Sequence, residues 1–469
     1  LAQYAYLIGC QQTKEALVID PERDIDRYIE AATAEGLKIT TVAETHIHAD
    51  YLSGARDLGE ATGATVYVSD EGDAEWKYFW ADDTSATVVK VHDGDEFFIG
   101  KIRIRVLFTP GHTPEHVCFV VVDEGGGASE PIGIASGDFL FVGDLGRPDL
   151  LESAAGQVGA MEPAAERLWE STHRLEPFNG YLQVWPGHGA GSACGKALGA
   201  VPMSTLGYER KFNASLGLAG HGQEAFVAGI LEGQPEPPIY FARMKRDNKL
   251  GGPPAKRPVA PTEIDAGVLS ELASADDTVL LDTRQNRYAY LARHWPGSIW
   301  APWGGADFLA IAGSYIEPEQ KIVLVTADPA DGEAIARALY RIGLDRVEAL
   351  AVPETLDRAL DAKGSATIET ADWDTVRAHL DSDDYRVLDV RRLSEFEAAA
   401  VEGAQNIAHT RLAARLDELD RDRHMLVHCR TGFRATAAVS YLERQGFEVT
   451  HVGSKFADWR TAATEEVAT

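Results

Sequence analysis

The sequence predicts an α/β protein in which two sheets packed face to face, with helices outside them, are followed by two small α/β domains with parallel sheets. Three observations support this prediction. Strand-like segments alternate with glycine turns up to about residue 245, a proline- and glycine-rich stretch follows, and an internal repeat lies beyond it. At roughly 100–200 residues per domain, a chain of 469 residues is long enough for about three domains.

In the first part, short runs rich in β-branched residues predict strands that alternate with turns. The predicted strands cover residues 16–20, 39–44, 65–69, 88–91, 102–107 and 117–122, and a helix is predicted over 21–35. This spacing fits two packed sheets better than one doubly wound parallel sheet. We therefore expect one domain over residues 1–246, followed by a linker over 247–262.

The rest of the chain contains a repeat. The segment 279–284 (VLLDTR) resembles 387–391 (VLDVR), and each ends in Asp-x-Arg. Each copy continues with a glycine turn, a strand, a loop and an amphipathic helix. Strand, loop, helix and strand in this order predict a small domain with a parallel sheet. We expect one such domain over residues 263–362 and a second over 366–469.

The composition excludes some functions. The chain has 73 acidic and 44 basic residues, a formal net charge of −29. It is therefore not expected to bind nucleic acid or an anionic membrane. No apolar run approaches the length of about 18 residues that a membrane-spanning helix needs, and the first nine residues lack the features of a signal peptide. The four cysteines are scattered, which suits a reducing compartment, so we expect a cytoplasmic protein.

Potential metal ligands recur directly after predicted strands. They occur in a THIHADY stretch, a PGH turn, a GD pair and a second PGH turn: His46, His48, Asp50, His112, Asp138 and His188. Several ligand-bearing loops, each at the end of a strand, predict that these side chains meet at a metal site.

This ordered set resembles the metallo-β-lactamase fold, an αββα sandwich, over about residues 1–240. In the dinuclear hydrolases of that fold the stretch continues HxHxDH. Tyr51 takes the last position here, which removes one nitrogen ligand of the second metal and disfavours a dinuclear zinc centre. The remaining ligands, His46, His112 and Asp138, form the two-histidine, one-carboxylate face that is typical of Fe(II) oxygenases.

The string from Gly137 to Asp149 (GDFLFVGDLGRPD) resembles the persulfide dioxygenase branch of this fold. The resemblance implies one Fe(II) per chain and no organic cofactor, with Asp138 rather than Asp144 as the carboxylate ligand. It also implies a set of residues that support the ligands or the substrate: His48, Asp50, His188, Arg147 and Asp149.

A second site is predicted at the loop 428–434 (HCRTGFR), between a strand and a helix. Backbone N–H groups, the helix N-terminus, Arg430 and Arg434 would favour the thiolate of Cys429 and hold an anion above it. Gly432 supplies the left-handed backbone that a tight loop needs. The loop resembles the rhodanese family, which carries sulfur as a cysteine persulfide. Phosphatase loops read HCx5R and are one residue longer.

The first copy of the repeat has Thr326-Ala-Asp-Pro where the second has the cysteine loop. It therefore resembles an inactive rhodanese domain. Among the other cysteines, Cys10 and Cys118 are expected in the core. Cys194, six residues after His188, is a candidate persulfide relay.

Together these resemblances imply a fusion of a persulfide dioxygenase and a rhodanese. Its substrates and products would be glutathione persulfide or another thiol persulfide, O2, thiosulfate and sulfite, and we expect a homo-oligomer. Two alternatives stay open. One is a zinc-dependent thioester hydrolase of the glyoxalase II kind fused to a sulfurtransferase, and the other is a non-catalytic sulfur carrier.

Overall fold

The computed structural model describes residues 1–153, 156–255 and 258–459. The chain forms two compact units, Leu1–Arg257 and Pro258–Thr469. Within the described ranges, no helix combines the length and the apolar character that crossing a bilayer requires.

Five strands form the first sheet of the first unit: β1 (Tyr6–Cys10), β2 (Glu15–Ile19), β3 (Lys38–Ala43), β4 (Thr65–Ser69) and β5 (Thr87–Val91). They lie in this order, with β1 antiparallel to β2 and all other neighbours parallel. The four strands predicted in this region are confirmed to within one residue at each end.

The second sheet has six strands: β6 (Glu96–Ile99), β7 (Ile102–Phe108), β8 (Val117–Asp123), β9 (Gly133–Gly137), β10 (Gln183–Pro186) and β11 (Ser204–Thr205). They also lie in chain order, and only β9 and β10 pair in parallel.

The helices of the first unit are α1 (Asp26–Ala34), α2 (Ala55–Thr62), α3 (Leu150–Ser153), α4 (Met161–His173), α5 (Leu206–Phe212), α6 (Ala214–Leu218), α7 (Gln223–Leu231) and α8 (Tyr240–Leu250). The predicted helix over 21–35 is too long at its start. The carbonyl of Pro21 accepts from the N–H of Gly54, and the N–H of Arg23 donates to Leu52. These contacts hold residues 21–25 in an extended loop, and α1 begins only afterwards.

The core between the sheets explains why they pack face to face. Leu17 and Ile19 of the first sheet are buried together with Phe97, Ile104 and Phe119 of the second. On the outer face of the first sheet, residues of α1 and α2 cover buried valines of β2, β3 and β4. On the outer face of the second sheet, α4 and α7 do the same. The arrangement is the predicted αββα sandwich.

The second unit contains two five-stranded sheets. The first has β12 (Thr262–Glu263), β13 (Thr278–Asp282), β14 (Ile299–Trp300), β15 (Lys321–Val325) and β16 (Val347–Ala351); the second has β17 (Glu369–Ala371), β18 (Tyr385–Asp389), β19 (Gln405–Asn406), β20 (His424–His428) and β21 (Val449–Val452). All pairs are parallel, and the orders β12-β16-β15-β13-β14 and β17-β21-β20-β18-β19 are equivalent. The predicted repeat of parallel-sheet domains is confirmed.

The helices of this unit are α9 (Ala266–Ala273), α10 (Arg287–Ala292), α11 (Phe308–Tyr315), α12 (Gly332–Arg341), α13 (Pro353–Lys363), α14 (Trp373–Ala378), α15 (Leu393–Ala398) and α16 (Phe433–Arg444). The two copies pack against each other within the unit. Tyr315 of the first copy stacks on Tyr441 of the second with ring centroids 4.4 Å apart, and the N–H of Trp300 donates to Ser440 Oγ at 3.1 Å. The last residues of the predicted second domain, 460–469, lie outside the described residues.

The Asp-x-Arg motif closes the turn after β13 and after β18. In each copy the arginine Nε donates to the aspartate Oδ1 at 2.9 Å, as seen for Arg284 with Asp282 and for Arg391 with Asp389. The motif therefore has the same local structural role in both copies.

The stretch predicted as a linker, 247–262, is shortened at both ends. Helix α8 extends through Leu250, and β12 begins at Thr262. The end of α8 is tied down because Asn248 Nδ2 donates to the carbonyls of His48 and Tyr51, both at 2.8 Å. The composition of this stretch predicts a linker, and these hydrogen bonds attach its start to the first unit.

Candidate functional site

Three of the predicted metal ligands converge in the first unit. His46, His112 and Asp138 lie in the loops after β3, β7 and β9. Each offers one ligand atom, the three atoms lie within 4.8 Å of one another, and all three residues are buried. The sandwich therefore brings together side chains that are far apart in the sequence.

The distances in this cluster fit one metal ion. His46 Nε2 lies 3.8 Å and His112 Nε2 lies 3.5 Å from Asp138 Oδ2. Donor atoms that share an ion at about 2.1 Å lie roughly 3–3.5 Å apart, so one ion can sit among these atoms with small adjustments. Asp138 Oδ2 is buried and has no hydrogen-bond partner among the described residues. An orphaned carboxylate oxygen facing two imidazoles is what a cation site requires.

The hydrogen bonds behind the imidazoles set their tautomers. Thr45 Oγ1 donates to Asp20 Oδ2 at 2.8 Å, so it accepts from His46 Nδ1, which lies 2.9 Å away. His112 Nδ1 lies 3.0 Å from the carbonyl of Arg147, which can only accept. Both histidines therefore carry their proton on Nδ1 and turn the Nε2 lone pair toward Asp138.

Electrostatics keep these two imidazoles neutral. Burial, which disfavours the charged form, lowers the pKa of His46 and of His112 well below the usual histidine value. Neighbouring histidines lower the pKa of His46 further, and the ammonium of Lys245 lowers that of His112. Neutral imidazoles are the form that binds a metal, so no proton has to be displaced from Nε2.

His188, predicted as a supporting residue, is held between two carboxylates. Its Nδ1 lies 2.7 Å from Asp138 Oδ1, and its Nε2 lies 2.8 Å from Asp50 Oδ2. Both nitrogens face acceptors, so both carry a proton, and the carboxylates raise the pKa of His188 well above its usual value although burial opposes this. His188 is therefore held by both carboxylates and orients Asp138, and with Asp50 and Cys194 it also forms a second group of potential ligand atoms within 4.8 Å of one another.

Cys194 lies beside this pair. Its sulfur belongs to a group of potential ligand atoms with Asp50 and His188, and the residue is buried. Burial raises the pKa of the Cys194 thiol to about 12. The candidate relay is thus close to the metal cluster, but in this structure it is a protonated thiol.

His48 and Tyr51, from the same stretch as His46, face a different group. His48 Nε2 lies 3.3 Å from Asp20 Oδ1 and 3.7 Å from Glu44 Oε2. Burial alone would lower the pKa of His48, but these carboxylates raise it to about 9. The Tyr51 hydroxyl donates to the carbonyl of Asp20 at 3.3 Å. Neither side chain joins the cluster around Asp138.

The structure places Arg147 and Asp149 in a buried ion pair. Arg147 Nε and Nη2 donate to the two oxygens of Asp149 at 2.8 and 2.6 Å. This ion pair stabilises the turn that contains Arg147. The backbone carbonyl of Arg147 in that turn accepts the hydrogen bond from His112 Nδ1. Asp144, by contrast, accepts from the N–H groups of Lys196 and Ala197 and is tied into the surrounding loops.

The backbone at two glycines, Gly187 and Gly146, passes very close to the carboxylate ligand Asp138. The α-carbon of Gly187 passes so close to Asp138 that a Cβ there would lie 2.5 Å from Oδ1. A Cβ on Gly146 would lie 1.7 Å from the carbonyl of Asp138. Any side chain at these two positions would move the carboxylate ligand.

The tautomer argument makes a prediction about Thr45. We expect Thr45→Val to weaken metal binding about 10–100-fold, the usual effect of losing a residue that orients a ligating histidine. Competition with a chelator, followed by metal analysis, measures this effect. The matched control is Thr33→Val, because the Thr33 hydroxyl donates to the backbone carbonyl of Ile29 on the exposed face of α1. Equal affinities in the two variants would show that Thr45 does not orient His46.

The second predicted site lies at the end of β20. The Cys429 sulfur accepts from the N–H of Gly432 at 3.2 Å and from the N–H of Ala435 at 3.4 Å. Gly432 has φ +86°, the left-handed conformation that was predicted for it. The loop therefore curls its backbone around the sulfur, and α16 begins directly after it.

A cavity of about 640 Å³ lies beside this loop. Arg430 and Arg434 line it, as does Glu395, whose carboxylate pairs with Arg434 at 2.6 and 2.9 Å. Gly305 and Asp307 of the first copy form part of the opposite wall. The charge of Arg434 is thus shared with the carboxylate of Glu395, which the sequence analysis did not identify.

The first copy has no thiol at the equivalent position. Asp328 follows β15 there, and its side chain accepts from the N–H of Ala330 at 2.9 Å. Thr326, which follows β15 directly as Cys429 follows β20, takes the place of the cysteine, and Asp328 caps the turn after it.

Sequence reasoning missed several residues that shape these sites. They are Asp20, Thr45, His116, Lys245, Glu395 and Asp307. His116 could have been found, since it lies in the same turn as His112, and its Nε2 accepts from the N–H of Asp138 at 3.1 Å. Thr45 could also have been found, since it precedes His46 directly. Asp20, Lys245, Glu395 and Asp307 carry no local signal, because they lie in segments distant from the motifs.

Comparisons with known proteins agree with this division of the chain. Residues 1–188 match the metallo-beta-lactamase superfamily, and residues 372–462 match the rhodanese-like domain. A solved metallo-beta-lactamase from Staphylococcus aureus is 37% identical, with a TM-score of 0.66, and the match covers 75% of this chain and 96% of that one. The structure of ETHE1 from Myxococcus xanthus is 28% identical, with a TM-score of 0.42, over 54% of this chain and 95% of that one.

Among named relatives, a hydroxyacylglutathione hydrolase from Gloeobacter violaceus is 30% identical over 188 residues. The match covers 39% of this chain and 63% of that relative, so the chain spans less than two thirds of its length. The matched segments, the αββα sandwich and the repeated parallel sheets agree with one another. The first part of the chain is a metallo-beta-lactamase superfamily domain, and its last part is a rhodanese-like domain.

Proposed function

We propose that the protein oxidises a low-molecular-weight thiol persulfide to sulfite with O2 at one Fe(II), and that it transfers sulfur from thiosulfate to a thiol through a persulfide on Cys429. Glutathione is the thiol we favour. The oxidation balances as RSSH + O2 + H2O → RSH + H2SO3, so the four electrons lost by sulfur are taken by O2. The transfer balances as S2O3²⁻ + RSH → SO3²⁻ + RSSH.

The observation that carries the proposal is the position of His188. Both of its nitrogens lie beside carboxylates, at 2.7 and 2.8 Å, so His188 is engaged as a positioning residue, and we place the ion on His46, His112 and Asp138, one of three groups of potential ligands among the described residues. Two imidazoles and one carboxylate on one ion are the donor set typical of Fe(II) oxygenases, and they leave open positions for substrate and O2. Iron bound there would supply a redox-active centre through which O2 could accept the electrons of a closed-shell sulfur atom.

The residues around the cluster have defined tasks in this proposal. Thr45 and the carbonyl of Arg147 hold the two imidazoles with Nε2 forward. His188 fixes the aspartate and keeps a proton between Asp138 and Asp50. The residues that surround the cluster are buried, which keeps bulk water away from the reacting sulfur.

The sulfur transfer rests on the loop around Cys429. Its sulfur attacks the outer sulfur of thiosulfate, sulfite leaves, and a thiol then takes the sulfane sulfur from Cys429. N–H groups of Gly432 and Ala435 point at the sulfur and would stabilise its negative charge in both steps. The cavity of about 640 Å³ beside the loop has room for a thiol the size of a tripeptide. The persulfide made here is the substrate of the iron site.

Metal analysis together with an O2 electrode tests the proposal. We expect about one iron per chain in protein that is purified anaerobically, and O2 uptake when glutathione persulfide is added. Thiosulfate and glutathione together should also start O2 uptake. Removing iron with a chelator should stop O2 uptake and leave thiosulfate-dependent sulfur transfer intact. Zinc-only protein that ignores O2 would contradict the dioxygenase proposal.

A zinc-dependent thioester hydrolase is the second candidate. It is favoured by the relative named hydroxyacylglutathione hydrolase, which is 30% identical over 188 residues. Such an activity would appear as two zinc ions per chain and hydrolysis of S-lactoylglutathione without O2. Because Tyr51 replaces a ligand and both nitrogens of His188 lie beside carboxylates, we expect neither.

A further inference from the structure

Arg287, at the start of α10 in the first copy, approaches the cysteine loop of the second copy. A Cβ built on Gly432 would lie 3.4 Å from Cζ, the central carbon of the Arg287 guanidinium, and 3.2 Å from His451 Nε2. The N–H of Gly432 donates to the Cys429 sulfur at 3.2 Å. Standard bond lengths therefore place the guanidinium about 9 Å at most from that sulfur.

The guanidinium of Arg287 has a tyrosine partner and no carboxylate partner. Its Nη2 donates to the Tyr288 hydroxyl at 2.9 Å, and its Nε is buried without a hydrogen-bond partner among the described residues. Within the same part of the chain, no carboxylate forms an ion pair with Arg287. By contrast, Arg293 at the other end of α10 pairs with Asp357 and Asp361. The positive charge of Arg287 is therefore not balanced by a neighbouring acid.

The two arginines of the cysteine loop itself supply less charge to Cys429 than their number suggests. Arg434 pairs with the carboxylate of Glu395 at 2.6 and 2.9 Å. Arg430 is exposed, so solvent and salt screen its charge. Arg287 is half-buried and unpaired, and screening weakens its charge less.

His451, on β21, fixes the same glycine. Its Nε2 lies 2.9 Å from the carbonyl of Gly432, which can only accept, so Nε2 carries a proton. Burial lowers the pKa of His451, and the charge of Arg287 acts in the same direction, against the hydrogen bond to Gly432. Thr436 Oγ1 donates to the same carbonyl at 2.8 Å. The glycine that donates to the Cys429 sulfur is thus held by hydrogen bonds, with an unbalanced positive charge beside it.

We propose that Arg287 is a positioning residue of the sulfur-transfer site, and that its positive charge favours anionic sulfur donors such as thiosulfate over neutral ones at Cys429. The identity of the donor rests on the proposed function. The place of the charge rests on the distance between Arg287 and Gly432 and on the unpaired guanidinium. The first copy, which has no thiol at the equivalent position, thus supplies a charge to the reaction of the second copy.

The test compares two alkylating reagents of similar size on the full-length protein: iodoacetate, which is an anion, and iodoacetamide, which is neutral. Mass spectrometry of the peptide that contains Cys429 gives the rate constant for each reagent. The ratio of the two constants cancels changes in the reactivity of the sulfur, so it reports the charge near it. We expect Arg287→Met to lower the ratio of the iodoacetate constant to the iodoacetamide constant about 2–5-fold, the Coulomb effect of one partly screened charge at about 9 Å. Arg287→Lys should keep the ratio.

The matched control is Arg293→Met, which removes a charge from the other end of α10 that Asp357 and Asp361 already balance. An unchanged ratio in Arg287→Met and in a second neutral variant, Arg287→Gln, would overturn the proposal. An equal fall of the ratio in Arg293→Met would overturn it too.

Two further outcomes also count against the proposal. Equal losses of both rate constants in Arg287→Met and Arg287→Lys would make Arg287 a structural residue. Unmodified protein in which neither reagent reaches Cys429 would leave no selection for the charge to make. The assay needs no turnover of thiosulfate. A ratio that depends on Arg287, in protein that transfers no sulfur from thiosulfate, would contradict the proposed sulfur transfer and leave the effect of the charge standing.

Discussion

Cys429→Ser should abolish thiosulfate-to-thiol sulfur transfer, with a loss of about three orders of magnitude or more, while O2 uptake with preformed glutathione persulfide continues. A serine oxygen cannot carry sulfane sulfur, although it keeps the shape of the loop. The Cys429 sulfur accepts two backbone N–H groups, which a hydroxyl oxygen can also accept. The loss of sulfur transfer in Cys429→Ser therefore reflects the missing sulfur atom and not a change in the fold of the loop.

Two measurements complete this experiment. Sulfite release from thiosulfate measures the transfer step, and the O2 electrode measures oxidation of added persulfide. Cys10→Ser is the matched control, because Cys10 is also buried but lies in β1, where its sulfur accepts from the N–H of Lys101 at 3.5 Å. Loss of O2 uptake in Cys429→Ser would contradict the division of the two steps between the two sites.

His112→Ala should remove the metal and all O2 uptake while sparing sulfur transfer. The substitution deletes one of two nitrogen donors, and its effect on metal affinity should exceed the 10–100-fold loss that is typical of residues behind the ligands. It also deletes the hydrogen bond from Nδ1 to the carbonyl of Arg147. Elemental analysis after dialysis, with both activity assays, measures the outcome.

The control for His112→Ala is His173→Ala. His173 is exposed on α4, where its ring packs against Trp169 of the same helix. Full iron content in His112→Ala would show that the ion is held elsewhere. A loss of thiosulfate transfer in the same variant would show that the two sites depend on each other.

Much of the fold could be predicted because it depends on local patterns. The β-branched runs and the repeated Asp-x-Arg segments have the periods of strands and turns, and the structure has strands there. The helix over 21–35 was predicted too long, because the contact of Arg23 with Leu52 joins residues that no local pattern connects. Likewise, nothing in the composition of residues 247–250 shows that Asn248 bonds to two backbone carbonyls of the metal-site stretch.

For the candidate sites too, some residues could be predicted from local patterns in the sequence and others could not. His46, His112 and Asp138 could be proposed because each follows a strand in a short, distinctive motif. The state of His188 could not, because it depends on carboxylates at positions 50 and 138 that only the folded chain brings to its two nitrogens. Lys245 lies in a helix of mixed charge, and only its burial separates it from Lys249.

The first copy of the repeat, which has no thiol at the position of Cys429, helps to form the cavity beside that cysteine. Asp307 belongs to the copy that has lost its thiol, yet its charge reaches Arg434 in the other copy. The two copies of the repeat thus have different roles. The second copy carries the reactive sulfur of Cys429, and the first copy supplies part of the wall of the cavity beside it. A chain trimmed of the first copy would keep every residue of the loop around Cys429 and lose the wall that Gly305, Ala306 and Asp307 supply.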